Sequence, residues 1–201
     1  KMTPENLRAQ IARYPAQFVH HGQPAAVTIT QATEIGTVYS HDEIGAISAV
    51  AKEKNLPLHM DGARFANAMV ALNSTPAKMT VDRGVDIVSF GGTKNGCWCA
   101  EALVFFNPEM ARQVPFIRKR GAHLFSKSRF IAAQFAAYLE NGLWLELASH
   151  SNAMASRLRE AITASSKARL AWDGQTNEVF AILPTATSTA AQDKGARFYD
   201  W

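Results

Sequence analysis

Short apolar runs alternate with amphipathic stretches along most of this chain, and that alternation sets the first expectation. Residues 3–14 (TPENLRAQIARY) open on Thr3-Pro4-Glu5, a helix start with proline in the first turn. A polar loop containing His20-His21-Gly22 follows, and residues 25–30 (AAVTIT), short and β-branched, read as a strand. Ser40 and Glu43 have the spacing of a capping box ahead of a helix over 41–54. A strand over 56–60 closes on Asp61-Gly62, and an alanine-rich helix spans 63–72. A short helix covers 76–83. Residues 86–90 (DIVSF) read as a buried strand, 91–96 as a glycine-rich loop, and 100–106 (AEALVFF) as another strand.

The second half is mainly helical. Helices are predicted over 108–120, 128–140 and 143–163, the last long enough to bridge two bodies. A strand over 179–183, a weak helix over 186–195 and a strand over 196–201 complete the pattern. Near-continuous apolar strands alternating with helices predict an α/β fold, a three-layer arrangement around a mostly parallel sheet. A domain boundary is placed near 150–166. Residues 1–150 form the major domain and 151–201 part of a small α+β domain, entered through the long helix. The opening Lys1-Met2-Thr3 reads as mid-helix and the apolar end reads as a blunt strand, so the chain is expected to be a piece of a longer protein.

Composition narrows the classes. The 201 residues are 47% hydrophobic and 19% charged, a globular balance that excludes disorder. No apolar run approaches the roughly 18–20 residues of a bilayer span, so no membrane partner is expected. Lys plus Arg is 21 against 17 Asp plus Glu, a net +4, which is too small and scattered to imply nucleic acid. Cys97 and Cys99 would point to opposite faces of a strand and are read as small core residues, unpaired, in a reducing cytosol.

Two stretches carry chemistry. Leu58-His59-Met60-Asp61-Gly62-Ala63-Arg64 puts an acid at the carboxyl end of a predicted strand, where α/β folds place ligands. Val88-Ser89-Phe90-Gly91-Gly92-Thr93-Lys94-Asn95-Gly96 puts a lysine just past the next strand among glycines that let backbone approach a ligand. Asp61 and Lys94 would then share one edge of a parallel sheet. That pairing meets the needs of pyridoxal phosphate (PLP): an amine for the aldehyde, and an anion to keep the pyridine nitrogen protonated. Plainer readings stand beside this one. Asp-Gly after a strand is commonly only a turn, and the glycine loop could hold a phosphate without covalent chemistry.

"HMDGARFANAM" followed by "DIVSFGGTKNG" resembles the low-specificity L-threonine aldolases, fold-type I PLP enzymes of the β-eliminating lyase group. The likeness extends through "TITQATEIGTVYSHDEI", "AEALVFFNPEMA", "RKRGAHLFSKSRFIAAQ" and "NEVFAILP", essentially the whole chain. The resemblance implies the aminotransferase-like fold, with the PLP-binding domain in 1–150. It implies that Lys94 forms the Schiff base with PLP, that Asp61 pairs with the pyridine nitrogen, and that Arg64 lies near the phenolic oxygen and Lys94. Gln31 and Thr33 fall under or beside the ring. His21, or its neighbour His20, approaches the substrate β-hydroxyl. Arg120 and Lys127 match positions that reach the cofactor phosphate of a neighbouring subunit. An ordinary surface role for the histidine pair, and a solvated helix end for the basic run 118–120, remain the alternatives. Arg197 is not given the substrate carboxylate. Family members also carry an N-terminal phosphate loop and a C-terminal carboxylate-binding arginine that the resemblance does not locate here.

The implied reaction is retro-aldol cleavage of L-threonine and related β-hydroxy-α-amino acids to glycine and an aldehyde. A homodimer or homotetramer in the cytoplasm, acting on a small amino acid, is the implied setting. Another PLP lyase or aminotransferase, a chain that is catalytically silent by itself, and a nucleotide-binding module are the competing readings. A sheet short of strands would also leave apolar surface exposed and make the chain aggregation-prone.

Overall fold

Residues 1–200 are described by a computed structural model, and its elements follow the hydrophobic pattern closely. In chain order they are α1 (Pro4–Ala12), β1 (Val27–Thr30), α2 (His41–Glu53), β2 (Leu58–Gly62), α3 (Phe65–Ala71), α4 (Pro76–Met79), β3 (Ile87–Gly91), β4 (Glu101–Phe105), α5 (Val114–Arg120), α6 (Ser128–Leu139), α7 (Leu143–Ala164), β5 (Arg169–Leu170), β6 (Ala181–Ile182) and α8 (Thr185–Asp193). Thr3 caps α1 by accepting from the Asn6 N–H, so Lys1 to Thr3 precede the helix and do not lie within one. The capping box forms as expected: the Ser40 hydroxyl accepts from the Glu43 N–H, and the Glu43 carboxylate accepts from the Ser40 N–H at 2.7 Å.

The main sheet has the order β1-β2-β3-β4. The first three strands are parallel, with Thr30 opposite Asp61 and Asp61 opposite Ser89. β4 runs antiparallel to β3, with Gly91 opposite Glu101. The connection over 92–100 is too short for the crossover that a parallel strand needs. Asp86 ties the strand starts together: its carboxylate accepts from Leu58 N–H at 2.8 Å, and its own N–H donates to Leu58 O at 2.9 Å.

Alternation gives the sheet two unlike faces. Val27, Ile29, Leu58, Met60 and Val88 point into one cluster with Ile44, Ile47 and Val50 of α2 and Phe65, Ala68 and Met69 of α3. The other face presents Thr28, Thr30, His59, Asp61, Ser89, Leu103 and Glu101, which are exposed or half-buried. The α/β class with a mostly parallel sheet is therefore observed, and the described residues supply the helical layer on one face. α7 packs along α3 through buried Ala148 and Ala155. Asn67 of α3, 1% exposed, donates to Ser151 Oγ and Asn152 Oδ1 and accepts from Asn152 on its backbone oxygen.

Several expectations change. The helix over 76–83 breaks at Thr80 into α4 and a 3-10 turn, Val81–Arg83. The helix over 108–120 becomes a 3-10 turn, Pro108–Ala111, followed by α5. The strand over 179–183 shrinks to β6, paired with β5, which the pattern did not reveal. The strand over 196–201 is not found among residues 196–200, and Trp201 lies outside the described residues. Cys97 and Cys99 are not core residues on a strand. They lie in the loop before β4, the first half-buried and the second exposed, and both are free. No helix among the described residues is long and apolar enough to cross a membrane.

Candidate functional site

The carboxyl ends of β2 and β3 carry the residues the sequence singled out. Asp61 is half-buried near the end of β2, and its Oδ1 accepts from Ala63 N–H at 3.0 Å. The turn that looked like a plain Asp-Gly corner thus also fixes the carboxylate. Gln31 N–H donates to Asp61 O at 2.8 Å, extending the β1–β2 ladder past the end of β1. Two residues earlier on the same face of β2, His59 Nε2 sits 2.8 Å from Ser89 Oγ on β3.

Lys94 lies in a 3-10 turn, Thr93–Asn95, between β3 and β4. Its side chain is exposed, and its amine has no hydrogen bond or ion pair with a described residue. The backbone beneath it is held firmly. Asn95, 8% exposed, donates from one amide nitrogen to the Tyr138 hydroxyl at 2.7 Å and to Trp144 O at 2.8 Å. Gly92 N–H donates to Ala100 O at 2.8 Å, and Thr93 N–H to Glu101 Oε1 at 3.3 Å. Burial pushes the Tyr138 phenol above its ordinary value, keeping it a neutral hydroxyl in this contact.

The glycines around Lys94 make room for the chain itself. A Cβ on Gly91 would lie 3.0 Å from Ala63 Cα, and one on Gly92 would lie 2.9 Å from Cys97 Sγ. Gly96 has φ +111°, and a Cβ there would lie 2.8 Å from Leu147 Cδ1 of α7. Close backbone approach was expected to serve a ligand. The contacts found are with Ala63 just past β2, the 97–100 loop and α7.

Arg64 precedes α3, three residues after Asp61. Its side chain is 14% exposed; Nε pairs with Glu178 Oε1, and Nη1 lies 3.5 Å from Glu34 Oε2. Gln31 is fully buried and bonded at both ends of its amide: Nε2 donates to Tyr39 O and Oε1 accepts from Tyr39 N–H, each at 2.9 Å. Thr33 closes a tight loop with Thr37, hydroxyl to hydroxyl at 2.7 Å. Gln31 and Thr33 therefore shape the 31–39 loop beside Asp61.

The remaining expected residues lie elsewhere. His21 is exposed in the loop after α1, its ring edge-on to Phe18 (4.5 Å between centroids) and Tyr14 (5.9 Å). No hydrogen bond or ring contact joins it to Asp61, Arg64 or Lys94. Arg120 ends α5 and Lys127 is the residue before α6; both are exposed. Sequence reasoning missed Asn95, Tyr138, His59, Ser89 and Glu178. The β2–β3 register could have flagged His59 and Ser89, because both share a face with Asp61. No local signal marks the others. Among the described residues no group of three or more His, Cys, Asp or Glu is arranged to hold a metal.

The family model described as Beta-eliminating lyase matches residues 1–185. The chain is 42% identical over 199 residues to the low specificity L-threonine aldolases of Pseudomonas sp. (strain NCIMB 10558) and of Pseudomonas aeruginosa. In each case 99% of this chain aligns with 57% of the relative, so the chain spans somewhat over half the length of the curated relatives it matches. Among solved structures it is similar to a Leishmania major threonine aldolase, with TM-score 0.89 and 30% identity over 96% of this chain and 56% of that one.

Proposed function

Because the chain belongs to the beta-eliminating lyase family, we propose that it serves PLP-dependent cleavage of L-threonine and related β-hydroxy-α-amino acids to glycine and an aldehyde. The observation that carries this reading is the placement of Asp61 at the end of β2 and of Lys94 just past the neighbouring parallel strand β3, with Asp61 opposite Ser89 and Lys94 five residues further on. The names of the Pseudomonas and Leishmania relatives support the choice of substrate.

The residues present fit PLP. An amine free of ion pairs can hold an aldehyde carbon, and a carboxylate oriented by a backbone N–H can hold a proton at a ring nitrogen. When bound, PLP supplies an electron sink for the pair left on Cα as the Cα–Cβ bond breaks. Lys94 would hold the cofactor through its amine. Asp61 keeps the pyridine nitrogen protonated, and Arg64 offers its remaining donors to the phenolic oxygen. Gln31 and Thr33 set the loop flanking the ring. His21 takes the β-hydroxyl proton as Cβ becomes the aldehyde carbonyl; a proton returned to Cα completes glycine. Arg120 and Lys127 reach the cofactor phosphate of a second subunit in a homodimer or homotetramer. Unpaired Cys97 and Cys99 support a cytoplasmic setting. The long helix α7 is the passage from the major domain (1–150) to the small one (151–201).

The test is borohydride reduction of the protein after incubation with PLP, followed by peptide mapping and an assay of aldehyde release from L-threonine. The expected result is a PLP adduct on Lys94, lost in Lys94→Ala, and aldehyde release lowered about 100-fold or more in Asp61→Ala. An adduct on another lysine, or a Lys94 adduct with threonine left intact, overturns the proposal.

A further inference from the structure

Arg64 is held from two directions. Glu34 comes from the 31–39 loop, and Glu178 comes from the segment before β6, more than a hundred residues away in sequence. That segment is itself bound to the same loop. Thr176, fully buried, donates its hydroxyl to Gly36 O at 3.1 Å, and Gln175 N–H donates to Gly36 O at 2.7 Å. Gln175 Oε1 accepts from Val38 N–H at 3.1 Å. From the other side Arg159 of α7 donates to Thr176 O at 2.8 Å and to Glu178 O at 3.5 Å. The Glu178 side chain is 14% exposed, and its second oxygen lies 3.4 Å from the Thr176 hydroxyl.

We propose that Glu178 is a positioning residue. With Glu34 it sets the plane and place of the Arg64 guanidinium beside Asp61, and so couples the 173–178 segment to cofactor binding. The inference rests on the reading of Asp61, Arg64 and Lys94 as the PLP site. A planar five-donor fork with Nε and Nη1 fixed on carboxylates can turn its remaining donors in only one direction.

The charge on Glu178 is set by what packs around it. The groups facing the Glu178 carboxylate are Arg64, Glu34 and Thr176, with Arg159 on its backbone. Burial pushes its carboxyl above the ordinary value and Glu34 adds to that, while Arg64 and Thr176 pull the other way without prevailing. A carboxyl that binds its proton more tightly when folded than when unfolded loses stability as pH rises above the ordinary value of 4.5.

The experiment compares wild type, Glu178→Gln and Glu178→Asp, each free of PLP and loaded with it. It measures Tm of the cofactor-free protein at pH 7, PLP affinity by fluorescence titration, and the borohydride adduct on Lys94. Glu178→Gln keeps the shape of the side chain but takes the charge away from Arg64, so at a pH where it is fully folded it should bind PLP more weakly, on the order of tenfold, the usual effect of removing a group that orients a contacting side chain. Glu178→Asp should fall between the two. An unchanged PLP affinity in folded Glu178→Gln, or a loss that Glu178→Asp does not partly restore, overturns the inference. A wild-type protein without a Lys94 adduct overturns the site reading itself, and the inference falls with it.

Discussion

Asn95 illustrates how much of a reactive residue's environment is set by its neighbour. One side-chain amide, bonded to Tyr138 and to the backbone of Trp144, anchors the turn that carries Lys94 onto α6 and α7. Asn95→Ala leaves a buried hydroxyl and a carbonyl without their donor, and should cost about 1–3 kcal/mol. A urea unfolding midpoint will show it, together with slower formation of the Lys94 adduct at a pH where the variant is still folded. An unchanged midpoint would mean that the turn is held elsewhere. Gly96 carries a related constraint: at φ +111° and against Leu147, an alanine is both strained and crowded.

At the level of elements, caps and cores make separate predictions. Ser40→Ala removes half of the capping box and should cost about 1 kcal/mol. Ile47→Ala, at a fully buried position of α2, should cost about 2–5 kcal/mol. Both can be read from denaturant midpoints at constant slope. Strands β1 to β3 were legible because their apolar residues fall into a single core, β4 because 100–106 is a nearly continuous apolar run, and α2 because its capping box is local. The breaks in the 76–83 and 108–120 helices were not. Thr80 turns out of helical geometry and donates its hydroxyl back to Pro76 O at 2.6 Å, a local side-chain bond that apolar periodicity does not record. The 196–200 stretch looked strand-like through its aromatics, but Tyr199 is 94% exposed, so hydrophobicity there found no partner strand. Of the candidate site, Asp61 and Lys94 stood out because strand ends concentrate chemistry, and Arg64 was marked by the family resemblance. Glu178 could not be read, since only folding brings it to Arg64.

Across the whole molecule, a broad apolar surface stays uncovered. Phe116, Ile117, Leu124, Phe125 and Phe130, on α5, α6 and the link between them, are each more than half exposed, and Leu103 adds to the open sheet face. Exposed apolar side chains of this kind, when they adjoin, mark association surfaces. Concentration-dependent association is expected in light scattering, and Phe125→Glu with Phe130→Glu should reduce it; a monodisperse monomer of the unsubstituted chain at high concentration would contradict this. Opposed to Glu178 in its pH dependence is Glu53, which the Arg8 side chain holds below its ordinary value. Its stabilisation is complete above 4.5 and is lost as pH falls through the lowered value.

α7 touches both halves of the proposed site. Near its first turn Trp144 and Leu147 support the Lys94 loop, and at Arg159 it grips the backbone of Thr176 and Glu178. Twenty-two helical residues make a rod of about 33 Å. Any tilt of that rod is therefore transmitted to both ends at once, like a beam resting on two supports. Cutting the beam at exposed Ala153 with proline would let amine and guanidinium drift independently, although neither residue had been touched.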